Sequence, residues 1–66
     1  MKGAAAASVQ HALKNTGMSI KELSRRAGVN YYTARNGIKG KTTMQSDHFL
    51  RYAEVLNLDL QQRGVL

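Results

Sequence analysis

The segment from Ser19 to Asn30, SIKELSRRAGVN, constrains the fold more than any other feature of the chain. Ser19 followed three residues later by Glu22 matches a capping box, in which the two side chains bond backbone N–H groups at a helix start. Gly28 is placed to end that helix, because a left-handed residue costs glycine little. The residues between them that recur at helical spacing are Ile20, Leu23, Ser24 and Ala27. The pattern predicts a helix of about two turns followed by a tight corner.

Further short helices are predicted along the rest of the chain, which has no proline and has glycine mainly where segments end. We expect helices over residues 4–15, 31–38 and 46–57, with a last short turn over 59–63. Asn30 is a good N-cap for the third of the four helices. In the fourth, the apolar face comprises Phe49, Tyr52, Ala53 and Leu56. The expected fold is all-α, a compact bundle of four to five short helices in a single domain over residues 1–66.

Charge is unevenly distributed along these 66 residues, which carry ten Lys and Arg against four Asp and Glu, for a net charge of +6. No carboxylate lies between Leu23 and Ser46, a window that holds the cations Arg25, Arg26, Arg35, Lys39 and Lys41. A polyanionic partner is the first hypothesis. The alternative is an ordinary basic domain with a solvated charged face, which is the commoner role of the pair Arg25 and Arg26.

Catalytic and membrane features are lacking in the sequence. There is no cysteine and no phosphate-binding glycine loop, and the four carboxylates are scattered, so we predict no enzyme and no cofactor. His11 and His48 stand alone, without a second ligand at metal-binding spacing. The longest apolar stretch, residues 4–7, is too short to cross a bilayer, and no secretion signal is evident. We expect a cytoplasmic protein without a membrane partner.

Two short helices joined by a glycine corner, the second basic and aromatic at its start, describe a helix-turn-helix. Over residues 18–60 the chain resembles the DNA-binding domains of the Cro and lambda-repressor-like (XRE) family. The residues that match the family pattern are Leu23, Ala27, Gly28, Val29, Asn30, Thr33, Gly40, Phe49, Ala53, Leu56 and Leu58. The sequence departs from the pattern at Ser24, Ala34, Gly37 and Met44. Gly37 is unusual within a helix, and we expect the third helix to be short there, or to turn so that Ile38 fills the core.

The resemblance implies that residues 31–38 form a recognition helix in the DNA major groove. Its base-reading side chains would be Tyr31, Tyr32, Arg35 and Asn36. Arg35 suits guanine and Asn36 suits adenine, whereas either tyrosine suits a thymine methyl group or a phosphate. The alternative for a single tyrosine is that it covers the core. The DNA backbone contacts would be Ser19, Lys21, Lys39, Lys41, Thr42 and Thr43.

The resemblance implies a transcriptional regulator of the Cro or repressor type that binds double-stranded DNA sequence-specifically. Phages and prophages are one source of such regulators. Such a protein is expected to bind a pseudo-palindromic operator as a homodimer, and the apolar residues within 58–66 are the expected interface. Two alternatives stay open. One is an antitoxin-like protein-interaction module with secondary DNA binding, and the other is a nonspecific nucleic-acid binder that depends on charge alone.

Overall fold

The structure, a computed structural model, describes residues 4–62 of the chain, and side chains as far as residue 57. Four helices are present in this part and no strand: α1 Ala4–Thr16, α2 Ile20–Ala27, α3 Tyr31–Ile38 and α4 Ser46–Gln62. The predicted all-α class is confirmed, and the first three helices lie within one residue of their predicted bounds. None of the four helices within residues 4–62 has both the length and the apolar character that a transmembrane span requires.

Local hydrogen bonds explain where α2 begins and ends. The Ser19 hydroxyl accepts from the Glu22 backbone N–H at 3.1 Å, as predicted. The Glu22 carboxylate, however, accepts from Arg25 and Arg26 instead of from the Ser19 backbone, so only half of the predicted capping box forms. At the other end Gly28 has φ +70°, and the Gly28 and Val29 N–H groups donate to carbonyls of the last turn. These two hydrogen bonds form a Schellman motif, which ends the helix where the sequence predicts.

The prediction that α4 ends at Asn57 is wrong, because the helix continues without a break to Gln62. Asparagine favours a helix end only weakly, and no glycine or proline follows it before Gly64. The separate short turn predicted over residues 59–63 is therefore part of α4 as far as Gln62. The side chains from Leu58 onward lie outside the described residues.

The buried face of α4 also differs from the prediction. Tyr52 and Leu56 are buried, but Ala53 is exposed, and Phe49 and Val55 are half-buried. The apolar stripe is thus centred on Tyr52 and Leu56, four residues apart, and is rotated away from Ala53. Burying the single methyl group of Ala53 would gain less free energy than burying Tyr52 and Leu56, so the larger residues determine which side of the helix faces the core.

The core lies where α4 packs against α1 and α2, and α3 packs against the same two helices. Because α3 contributes its small and aliphatic residues to this core, its other side is left outside the bundle. The buried residues that form the core are Ala5, Val9, Leu13, Leu23, Ala27, Val29, Ala34, Ile38, Met44, Tyr52 and Leu56.

Gly37 lies within α3 and is buried, so the expected turn of the helix at this position is wrong. The expectation that Ile38 fills the core is confirmed, since only 1% of its surface is exposed. A Cβ atom added to Gly37 would lie 3.7 Å from the Cβ of Met44 and 3.8 Å from its Cα. Met44 therefore covers Gly37, and an added methyl group would meet it at ordinary van der Waals distance.

Candidate nucleic-acid interface

A connection of three residues, Gly28 to Asn30, sets the position of α3 relative to α2. Val29 is buried in the core, so the corner is anchored by packing as well as by the Schellman hydrogen bonds. The Asn30 side-chain oxygen accepts from the N–H groups of Tyr32 at 2.9 Å and Thr33 at 3.3 Å. Asn30 is therefore the N-cap that the sequence predicts. The start of α3 is therefore held both by the Asn30 cap and by the packing of Val29 in the core.

The two sides of α3 differ sharply in burial. Ala34, Gly37 and Ile38 are buried. The four predicted base-reading residues lie on the remaining surface: Tyr31 and Tyr32 are exposed, and Arg35 and Asn36 are half-buried. Within this set, residues 31 and 35, and residues 32 and 36, are four apart and therefore neighbours along the helix. The structure thus brings all four onto one continuous outer surface.

Neither tyrosine belongs to the buried core, and Tyr32 is the more exposed of the two. Tyr31 is 38% exposed and Tyr32 is 69% exposed. Their ring centroids lie 5.3 Å apart with an interplanar angle of 72°, an edge-to-face arrangement. This arrangement is favourable because the positive edge of one ring meets the negative face of the other. The first turn of α3 therefore presents two aromatic rings that contact each other and the solvent.

The segment after α3 is held to the helix end by backbone hydrogen bonds. The N–H groups of Lys41 and Thr42 donate to the Asn36 carbonyl at 2.9 and 3.3 Å, and that of Lys39 donates to the Arg35 carbonyl at 2.9 Å. Gly40 makes the reversal possible with φ +80°. The predicted backbone-contact residues here, Lys39, Lys41, Thr42 and Thr43, are all exposed. The structure thus fixes the backbone of residues 39–42 and leaves their side chains in solvent.

Ser19 and Lys21, the other predicted backbone contacts, are exposed at the start of α2. The Ser19 hydroxyl oxygen is already used as a cap acceptor, although its proton remains available for donation. The first N–H groups of a helix have no partner within it, and they favour anions. This end of α2 is therefore suited to a phosphate.

Glu22, which precedes the acid-free window, forms ion pairs with only two of the cations inside it. Its carboxylate pairs with Arg25 and Arg26, and the hydrogen bond from Arg25, followed by that from Arg26, lowers the pKa of Glu22. The pKa of Arg25 is raised by the same hydrogen bond. Among the side chains that the structure describes, the remaining cations of the window are not paired with a carboxylate; these are Arg35, Lys39 and Lys41. Within this window, the cations without a carboxylate partner therefore lie on α3 and the segment after it.

Gln10 and Arg51 contribute contacts that sequence reasoning missed. The Gln10 side-chain amide donates to the Ile38 carbonyl at the end of α3, and Arg51 donates to the Ala27 carbonyl at the end of α2 at 3.4 Å. Each contact joins residues more than twenty positions apart, and polar residues at these positions carry no periodic or motif signal. Such contacts appear only once the tertiary packing is known. They tie the ends of α2 and α3 to the other two helices.

A separate apolar groove of about 480 Å³ lies between α1 and α4. Its lining residues are Ser8, Val9, Ala12, Phe49, Ala53, Glu54, Leu56 and Asn57. None of the predicted DNA-contacting residues borders it. The groove is therefore a second surface feature, distinct from the outer side of α3.

No group of three or more His, Asp or Glu side chains is close enough to hold a metal ion within the part of the chain that the structure describes. Comparison of the chain with protein-family models, curated proteins and solved structures gives no match. The candidate interface is therefore interpreted from its own geometry and chemistry.

Proposed function

We propose that this protein is a sequence-specific regulator that binds double-stranded DNA, with α2 and α3 acting as a helix-turn-helix of the Cro and lambda-repressor-like type. The observation that carries the proposal is the two-sided burial of α3. One side supplies Ala34 and Ile38 to the core, while the other carries two exposed rings, a cation and an amide. A helix held this way is suited to enter a groove as a rigid body.

The chemistry of the outer surface favours the major groove of DNA. That groove admits one helix, and each base pair presents a distinct pattern of donors, acceptors and methyl groups there. Arg35 offers two parallel N–H donors for guanine O6 and N7, and Asn36 offers a donor and an acceptor for adenine. Both residues are half-buried and lie on the outer side of α3.

The surroundings of α3 support contact with the DNA backbone. Lys39 and Lys41 are exposed cations on a segment held by backbone hydrogen bonds, and the exposed residues Thr42 and Thr43 follow them in the chain. Phosphate contacts of this kind position a protein on the duplex, whereas base contacts specify the sequence. We assign Lys39, Lys41, Thr42 and Thr43 to the backbone, together with Ser19 and Lys21 at the start of α2.

Dimer formation is part of the proposal. A single recognition helix reads a few base pairs, and proteins of this type bind two half-sites about one helical turn apart. The interface expected within residues 58–66 lies outside the described side chains and stays a prediction. A symmetric operator would require two copies of α3 related by a two-fold axis.

Selection of bound duplexes from a random pool tests the proposed function. We expect enrichment of an inverted repeat whose half-sites are centred about 10 base pairs apart. Sedimentation of the protein on the enriched duplex should give two chains per site. A pool that shows no enrichment after repeated rounds would instead favour a nonspecific, charge-driven binder. Two chains bound to a site without symmetry would contradict the two-fold arrangement.

An antitoxin-like interaction module with secondary DNA binding is the second candidate, and the groove between α1 and α4 is the observation that favours it. Apolar grooves between helices commonly accept a helix or an extended segment of another protein. Ala53→Arg should block such a partner without affecting DNA, because Ala53 is exposed in the groove and away from α3. Loss of regulation in cells with unchanged DNA affinity in vitro would support this second function.

A further inference from the structure

The tyrosine pair at the start of α3 is chemically unlike the other groups on the proposed reading surface. Arg35, Asn36 and the nearby lysines are polar, whereas Tyr31 and Tyr32 together present two apolar rings. Tyr32 is 69% exposed, the largest exposed fraction among the large hydrophobic residues in the described part of the chain. A ring left in water in this way gains free energy when an apolar group covers it.

The edge-to-face contact favours one arrangement of the two rings. The Tyr31 ring is the less exposed of the two, at 38%, and it lies 5.3 Å from the Tyr32 ring. A tyrosine side chain has only two rotatable angles before its hydroxyl, so contact with a neighbouring ring removes much of its freedom. The position of Tyr32 in the first turn adds to this, since helix side chains lean toward the N-terminus. Tyr32 therefore extends near the end of α3 that approaches base edges in helix-turn-helix complexes.

The largest apolar group on the edges of the base pairs in the major groove is the C5-methyl group of thymine. Cytosine presents only a hydrogen at the same carbon, and most other groups there are hydrogen-bond donors or acceptors. The same position on cytosine becomes apolar when the base carries a C5-methyl group. A phosphate would require only a tyrosine hydroxyl and would leave both ring faces in water. The exposure of the rings thus favours a methyl group over a phosphate as the partner of Tyr32.

We infer that Tyr32, supported by Tyr31, recognises the C5-methyl group of a pyrimidine in each half-site. This inference rests on the proposed function and assigns the ligand of one of its reading residues. Arg35 and Asn36 then supply the hydrogen-bonding part of recognition, and the tyrosine pair supplies the apolar part. Binding discriminates thymine from uracil, and it is sensitive to methylation of a cytosine placed at the same position.

Base-analogue duplexes test the inference without changing any hydrogen bond. Each thymine of the selected site is replaced in turn by uracil, and affinity is measured for the parent, Tyr32→Phe and Tyr32→Ala. One thymine per half-site should lose about fourfold in affinity on replacement, which corresponds to about 0.8 kcal/mol for one buried methyl group. Tyr32→Phe should keep this ratio, and Tyr32→Ala should reduce it to about one. At the same position, 5-methylcytosine should bind better than cytosine by a similar factor.

Failure of this inference can be distinguished from failure of the proposed function. Equal affinity for thymine and uracil at every position overturns the inference, as does a selected site that contains no thymine. If Tyr32→Phe abolishes the ratio, the hydroxyl is the contacting group and the methyl assignment is wrong. These results leave the proposed function intact, because sequence preference remains. Absence of any sequence preference overturns the proposed function and this inference together. Thermal melts of both variants, which change an exposed residue, verify that each is folded.

Discussion

Gly37 is, at the scale of single residues, a locally unfavourable choice that the surrounding packing does not require. Glycine within a helix costs up to about 1 kcal/mol relative to alanine. Here Met44 packs over the backbone of α3 at Gly37, and only 3% of the Met44 surface is exposed. The sequence showed that Gly37 was unusual. It did not show that the neighbour was Met44, because that contact depends on the path of the chain after α3.

Gly37→Ala should raise the free energy of unfolding by about 0.5 to 1 kcal/mol, since the new methyl group meets Met44 at 3.7 Å without a clash. The matched control is Gly28→Ala. Gly28 has φ +70°, where a Cβ atom costs about 1 to 2 kcal/mol, so this variant should be less stable. Chemical denaturation of both variants measures the difference. A destabilised Gly37→Ala protein would contradict the packing described for Met44.

Arg35→Ala tests the proposed base contact. We expect a loss of about 1 to 3 kcal/mol in binding to the preferred site and relaxed preference at one base pair per half-site. The side chain is half-buried rather than fully exposed, but alanine favours helix, so stability should change by less than about 1 kcal/mol. Matched and mismatched duplexes, together with thermal melts, provide the measurements. Undiminished affinity for the matched duplex would assign recognition to Tyr31, Tyr32 or Asn36.

Val29→Ser is the structural counterpart of that variant. Val29 is buried at the corner between α2 and α3, and the substitution removes apolar packing and buries a hydroxyl. It should lower stability and weaken binding to every duplex alike, without a change in sequence preference. A selective loss on one base pair would indicate that the corner itself contacts DNA.

At the scale of helices, most boundaries were predictable because local residues determine them. Ser19, Gly28 and Asn30 act through hydrogen bonds and dihedral angles within a few residues, and these act as predicted. The end of α4 was not predictable from Asn57, whose preference for a helix end is weak. The outer side of α3 was predictable because the helical period separates a core side from an outer side, and its role in binding stays a prediction. Contacts such as Arg51 with Ala27 depend on tertiary packing and were not predictable.

Glu22→Gln tests the role of the ion pairs on α2. The Glu22 pKa is lowered from 4.5, so its stabilising effect is complete above that value and is lost as the pH falls through the lowered folded-state pKa. The variant should show a smaller loss of thermal stability across this acidic range than the parent. At neutral pH, Arg25 and Arg26 lose their carboxylate partner, so affinity for nonspecific DNA should rise. An unchanged acid profile would show that the pairs add nothing to stability.

Net charge is a property of the whole molecule, and its distribution gives the proposed interface its polarity. The chain carries +6, yet the arginines of α2 are partly neutralised by Glu22. Arg35, Lys39 and Lys41 lie together on α3 and the segment that follows it. We therefore expect this side of the molecule to face a polyanion as the two associate.

Lys41→Ala tests that orientation. Log affinity for DNA should fall with log salt concentration, with a slope of about 0.9 per neutralised phosphate. The variant should reduce the slope by about that amount per chain and leave sequence preference unchanged, since the Lys41 backbone bond to Asn36 is retained. Lys14→Ala, an exposed cation on α1, is the matched control and should have no such effect. An unchanged slope for Lys41→Ala would place this lysine off the DNA.

The central claim is that the outer side of α3 reads a DNA sequence rather than only its charge. The most direct test is the ratio of dissociation constants for the selected duplex and for a scrambled duplex of equal length, measured at two salt concentrations. A sequence-specific regulator should prefer the selected duplex by about a thousandfold or more, and this preference should persist as salt weakens both complexes. Equal affinity for the two duplexes at both salt concentrations would contradict the claim.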